Sequence, residues 1–261
     1  MSRFACKRSV LFSFAMSAAF SASAMLPLIT DDAETQGSGG HQLEVAYDWS
    51  RSRWSGESER VDSVPLTYTY GLKDAVDIFV GTDYSIIRAP GNRARGFGNT
   101  GIGLKWRFFE NEASGVSLAV KPDVLIPVGS RREEKGLGTG RTSGHLTLIL
   151  SQNLPFGAVH FNAGAGYDRF RYRHSNDNQR NRHFSVAPIW DLSGRWKLAM
   201  DMGIDLSCSG GDTVRSKYAE IAAIHSPSPN LDLAISYIRT VGSEYPESTT
   251  HQVVSGVTWR F

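Results

Sequence analysis

Cysteine is scarce. The 261 residues hold two, Cys6 and Cys208, too few for a disulfide framework. A surplus of charge of one sign is also missing, with 28 Lys and Arg against 26 Asp and Glu. No basic stripe offsets the acids, so no nucleic-acid partner is expected. The seven histidines show no metal-ligand spacing, and neither a metal nor a cofactor is expected. Past residue 24 no apolar run approaches the ~20 residues that a membrane helix needs. Aromatic residues and glycine are plentiful: 13 Phe, 9 Tyr, 6 Trp and 26 Gly without a strict period. That composition excludes a disordered or collagen-like polymer, and the length fits one domain or at most two.

Residues 1–24 read as a cleavable export signal. Arg3, Lys7 and Arg8 make a positive start, residues 10–20 are an apolar run too short to anchor, and Ala22-Ser23-Ala24 is an A-x-A cleavage site. Losing those three cations turns the net charge from +2 to −1. Cys208 is then the one remaining cysteine, an unpaired loop thiol with no partner in its own chain.

From residue 41 onward apolar side chains fall on every second position, the period of a strand with one greasy face. Leu43, Val45, Tyr47 and Trp49 alternate with Gln42, Glu44, Ala46 and Asp48. The same rhythm covers residues 76–86, 102–108, 116–124, 146–150, 159–167, 196–204, 231–237 and 253–261, and more weakly 66–70, 184–190 and 217–224. Twelve strands result.

The links between them decide between a soluble sandwich and a membrane barrel, since both give alternating strands. Long polar links at 50–60, 88–97, 128–141, 171–182, 206–214 and 240–250 alternate with short ones at 71–74, 110–114, 153–157, 191–195 and 226–230. An all-β, up-and-down antiparallel transmembrane barrel sorts its connections this way, with short periplasmic turns and longer outer loops. A Greek-key sandwich has no reason to. Trp49, Tyr70, Tyr84, Trp106, Phe108, Tyr167, Trp190, Trp196, Tyr237, Trp259 and Phe261 fall near strand ends, at the headgroup level that amphipathic rings prefer. The barrel is thus expected at 41–261, in the outer membrane of a Gram-negative bacterium.

With the apolar parity facing lipid, the other parity faces a lumen. It carries ten acids, Glu44, Asp48, Asp77, Asp83, Asp123, Asp168, Asp201, Asp205, Glu220 and Asp232, and five bases, Lys105, Arg107, Lys121, Lys197 and Arg260, with His145 and His160 among them. A lipid-facing Lys or Arg at the midplane would cost ~2–4 kcal/mol, which forces this assignment of faces. These groups either pair across a filled interior or line a conduit that mildly prefers cations. The outer links reverse the balance, with fifteen bases, Arg51, Arg60, Arg88 and Arg93 among them, against eight acids. Their expected neighbours are outer-membrane lipid and lipopolysaccharide.

Several motifs mimic enzymes. Residues 96–101 spell G-x-G-x-x-G, but a strand follows instead of the helix whose N-terminus holds a pyrophosphate. Residues 136–142 lack the lysine, the spacing and the helix of a phosphate loop. His174, Ser175 and Asn176 match the residue types of an outer-membrane phospholipase, yet His and Ser are adjacent in a polar loop instead of two apart on one strand face. No catalytic residue and no enzymatic activity are expected. At the other end of the chain, Val253, Ser255, Val257, Trp259 and Phe261 step back by twos from a terminal phenylalanine. Trp259 and Phe261 resemble the signal by which the outer-membrane assembly machinery recognises its substrates.

Five stretches, LPLITDDAETQGSGGHQLEV at 26–45, YGLKDAVDIFVG at 70–81, GFGNTGIGLKWRFFE at 96–110, VKPDVLIPVGS at 120–130 and SPSPNLDLAISY at 226–237, resemble the outer-membrane family named for a MetA-pathway of phenol degradation. That resemblance implies a 12-stranded barrel that passes small molecules, aromatic or hydrophobic compounds among them, across the outer membrane by passive diffusion. The alternative is a non-transporting barrel with a filled interior. A barrel of this size is narrow enough for an inserted terminus to fill it. Residues 25–40, acidic and rich in glycine, are expected either to lie free as a periplasmic leader or to enter as a plug, with Asp31, Asp32 and Glu34 meeting Lys105, Arg107 and Lys121.

Overall fold

The computed structural model describes residues 26–171, 177–242 and 248–261. The export signal expected at 1–24 and the His174, Ser175, Asn176 trio lie outside the described residues.

Antiparallel strands make up about three quarters of the described chain. In order they are β1 (His41–Trp54), β2 (Glu57–Lys73), β3 (Val76–Ala89), β4 (Asn92–Phe97), β5 (Thr100–Asn111), β6 (Val116–Ile126), β7 (Ser143–Leu154), β8 (Gly157–Asp168), β9 (Gln179–Ser193), β10 (Trp196–Ser209), β11 (Asp212–Ser228), β12 (Leu231–Gly242) and β13 (Ser248–Arg260). Strands adjacent in sequence pair with one another except β4 and β5, which both lie along β3, and β1 pairs with β13 to close the sheet on itself. Closure removes the free edges that a membrane interior forbids.

β4 and β5 are two pieces of one barrel strand. β4 lies along the outer half of β3 and β5 along its inner half, which gives a barrel of twelve strands. The break at Gly98-Asn99 is part of the G-x-G-x-x-G look-alike, and strand β5 follows it. Residues 127–142 carry a short helix, α1 (Ser130–Glu133), and pack beside β4, with Leu137 against Ile87, Ala94 and Val61. Asn99 ties them down: its side chain accepts from Thr139 N and donates to the carbonyls of Ile126 and Thr139.

The lipid face is read directly from exposure. Val45, Val80, Ile102, Leu148, Ile235 and Val257 are exposed along their strands, and Trp106, Trp196, Trp259 and Phe261 are exposed near the strand ends at the short-turn side. No described helix is long and apolar enough to cross a membrane; the strands do the crossing.

The outer links are shorter than their polarity implies. Those expected at 50–60, 88–97 and 206–214 are hairpin tips with two-residue turns at 55–56, 90–91 and 210–211, because the strands run on past the membrane. Beyond the apolar belt the outward face turns from greasy to polar while inward positions such as Ser52, Glu59 and Ala94 stay buried, so the apolar period of two disappears although the strand continues. At 210–211 both glycines have positive φ, 59° and 99°, as a tight hairpin turn requires. Cys208 accordingly sits within β10, not in a loop, and is free.

Candidate functional site: the occupied lumen

Inside the barrel, the segment before β1 runs against the inward faces of most strands. It enters at the short-turn end, where the chain is tied into the wall: Gly39 N donates to Gly71 O, Gly71 N to Gly40 O, and His41 and Phe261 exchange a pair of backbone hydrogen bonds. A side chain at Gly71 would run into the carbonyl of Gly37, so the crossing needs a bare backbone there.

From that crossing the segment is held by the inward polar residues. Gln36 N donates to both Asp77 oxygens at 3.1 and 3.0 Å. Lys105, 1% exposed as a side chain, donates to the carbonyls of Asp32 and Glu34 at 2.9 and 3.1 Å and lies 3.5 Å from the Asp32 carboxylate. Lys121 Nζ donates to Asp31 Oδ2 at 2.6 Å. Asn162 clamps the backbone of Asp31 from both sides, accepting from its N–H and donating to its carbonyl. Ser151 Oγ accepts from Ala33 N and is bonded to His160. Asp201 accepts from the backbone of Ile29 and Thr30, from the Thr30 hydroxyl and from the Tyr218 phenol.

Apolar contacts alternate with these polar ones. Leu28 packs among Ala187, Ile189, Ala199 and Ala222. Leu26 and Ile29 lie on Ala46, Tyr218, Ile238 and Val254, and Ala33 on Ala119 and Ile149. The interior is therefore not purely polar, which corrects the simple two-face reading. Buried inward positions such as Ile149, Ile189 and Ile238 are greasy where the inserted segment is greasy, since an apolar wall meeting an apolar side chain excludes water from both.

The remaining inward residues form satellites. Near the outer mouth His145 lies between Asp123 Oδ2 at 2.9 Å and Asp168 Oδ1 at 3.1 Å, with Asn181 donating to Asp168. His183 bonds Asp205 at 2.7 Å and Ser85 donates to Asp83. At the short-turn end Arg260 bridges Asp232 and Gln42. Asp48 accepts from Gln252, and Glu44 and Glu220 are buried on the same inward face. Arg107 and Lys197 stay at the rim: Arg107 reaches the Asp74 carbonyl and Glu110, and Lys197 lies 3.7 Å from Asp191. Of the three bases expected to meet the segment's acids, Lys105 and Lys121 do so and Arg107 does not. Ser151, Tyr218 and Ser185, whose hydroxyl is hydrogen-bonded to that of Thr30 at 2.7 Å, escaped the sequence reading; their only signal is a polar group at an inward position.

Residues 27–246 match the family described by a MetA-pathway of phenol degradation. No curated protein shows a significant sequence match to the chain. Among solved structures, an outer membrane channel from Pseudomonas putida F1 superposes with a TM-score of 0.74 at 14% identity, covering 88% of this chain and 98% of that one. The β domain of the Bordetella autotransporter BrkA superposes with a TM-score of 0.56 at 11% identity, covering 86% and 100%. These likenesses show the barrel fold.

Proposed function

The chain belongs to the outer-membrane family named for a MetA-pathway of phenol degradation, and from that premise we propose that it is a passive small-molecule channel closed by its own residues 25–40. The export signal at 1–24 is removed on the way to the membrane. One observation carries the reading: the inserted segment is held mainly by side chains reaching from the wall, not by a sheet ladder that would make it part of the wall. Lys105, Lys121, Asn162, Ser151 and Asp201 grip it through some ten directional contacts, so the same polar lining becomes the surface of a conduit once the segment withdraws. The carried solutes are small aromatic or hydrophobic compounds, and the lining contributes no catalytic step.

The greasy seat of Leu28 favours a second reading, a structural barrel whose filled interior only stabilises it. Liposome swelling separates the two. Proteoliposomes with the mature protein lacking residues 26–36 are expected to swell with phenolic solutes and small sugars faster than protein-free liposomes. Swelling at the protein-free rate would leave the structural barrel standing.

A further inference from the structure

On the outside of the barrel, just beyond the lipid belt at the outer end, six adjacent strands place a basic side chain at the same level. The register runs Arg239 opposite His251, His251 opposite Arg51, Arg51 opposite Arg60, Arg60 opposite Arg88 and Arg88 opposite Arg93. All six share the outward parity of exposed Ile235, Val257, Val45, Val64, Val80 and Phe97 on their own strands. At a strand spacing of about 4.8 Å the row covers roughly 24 Å of the wall.

Such a row is costly in isolation. Like charges directly opposite one another on neighbouring strands repel. One outward carboxylate answers them: Asp62, a rung below, holds Arg60 at 2.8 Å and also Arg88, and Tyr47 donates to it. Arg60 and Arg88 nevertheless remain half exposed. Among the described residues, Arg51, Arg93 and Arg239 make no ion pair. Immediately toward the membrane lie Trp49 and Tyr237, rings of the interfacial belt, with the Arg60 guanidinium 6.0 Å from the Trp49 ring. The row therefore stands at the headgroup level, where the outer leaflet carries phosphate.

We propose that this row is a binding site for the phosphorylated headgroup of lipopolysaccharide, with the phosphates seated across Arg51, Arg60, Arg88 and Arg93 and the acyl chains against the greasy wall below. Arginine suits the task because its planar fork grips phosphate oxygens in pairs. Asp62 fixes the forks of Arg60 and Arg88 and leaves their remaining N–H groups facing outward. The proposal is independent of whether the lumen conducts.

The test uses the full mature protein, folded in detergent micelles and checked for heat-modifiable migration, titrated with bis-phosphorylated lipid A. The variant Arg51→Gln/Arg60→Gln/Arg88→Gln/Arg93→Gln is expected to bind about tenfold more weakly or worse, given the attraction of each basic residue near an anionic surface. A charge-matched control, Lys73→Gln/Arg131→Gln/Lys135→Gln/Arg195→Gln, is expected to bind like the parent. Dephosphorylated lipid A is expected to bind all three weakly. If the quadruple variant does not fold, Arg51→Gln and Arg93→Gln, which lose no ion pair, carry the comparison singly. Parent-like binding by the row variant, or an equal loss in the control, would overturn the site. Equal competition by phosphatidylglycerol vesicles would overturn lipopolysaccharide as its occupant.

Discussion

Lys121 Nζ donates to Asp31 Oδ2 at 2.6 Å, with the two side chains 4% and 6% exposed and 90 residues apart in sequence. The contact ties the inserted segment to the middle of β6. Removing one partner of a buried pair leaves an uncompensated charge and costs ~3–5 kcal/mol. Lys121→Met is therefore expected to loosen the segment without unfolding the barrel. Limited proteolysis of the folded, heat-modifiable protein should cut within residues 26–36 much faster than in the parent. The double variant Asp31→Asn/Lys121→Met should lose less than the two single changes together, because the pair acts as a unit. Parent-like protection in Lys121→Met would show that the pair does not hold the segment.

Gly71 is a second control point, at the entrance. Any Cβ there collides with the Gly37 carbonyl, whereas the Gly71 backbone belongs to the end of β2. Gly71→Val is expected to displace residues 36–40 and to expose the segment to protease, with the barrel still forming. An unchanged digestion pattern would mean that the crossing tolerates a side chain.

The barrel itself was legible because lipid imposes a sharp rule: every second residue within the belt is greasy, and the turns at one end are short. The strand ends were not legible. At Trp54, Glu57, Ala89, Asn92, Ser209 and Asp212 the strands have run past the lipid and no greasy outward face is left, so the hairpins continue with no period to announce them. The interior was legible in its charges and not in its apolar patches. Ile149, Ile189 and Ile238 face inward only because Ala33, Leu28 and Leu26 with Ile29 come to lie on that wall, a long-range fact that no local pattern carries. Asn99 is hidden for the same reason, as its partners around Thr139 lie 40 residues away.

Phe261 closes the barrel as well as ending the chain. Its ring stacks on His41 at 5.2 Å and 6° between planes, and its backbone is paired with that of His41 at both atoms. Deleting Phe261 removes the terminal aromatic that the assembly machinery is expected to read and the last rung of the β1–β13 seam. Heat-modifiable barrel in outer-membrane fractions should fall severalfold. Parent-like levels would count against the terminal signal.

Charge in the lumen sets a further expectation. Without residues 26–36 the wall is expected to keep an excess of acids, ten against five bases among the residues assigned to its inward face from the sequence, although several lie within pairs such as His145 with Asp123 and Asp168. The opened barrel is expected to prefer cations mildly, read as a reversal potential displaced toward the cation equilibrium potential in a salt gradient. Anion preference would show that this balance does not govern permeation.

The most direct measurement is single-channel conductance in planar bilayers of the mature protein beside the same protein lacking residues 26–36. The intact barrel is expected to stay closed or to flicker at small conductance, and the shortened one to show long, larger openings. Indistinguishable traces from the two would contradict a lumen stoppered by its own N-terminal segment.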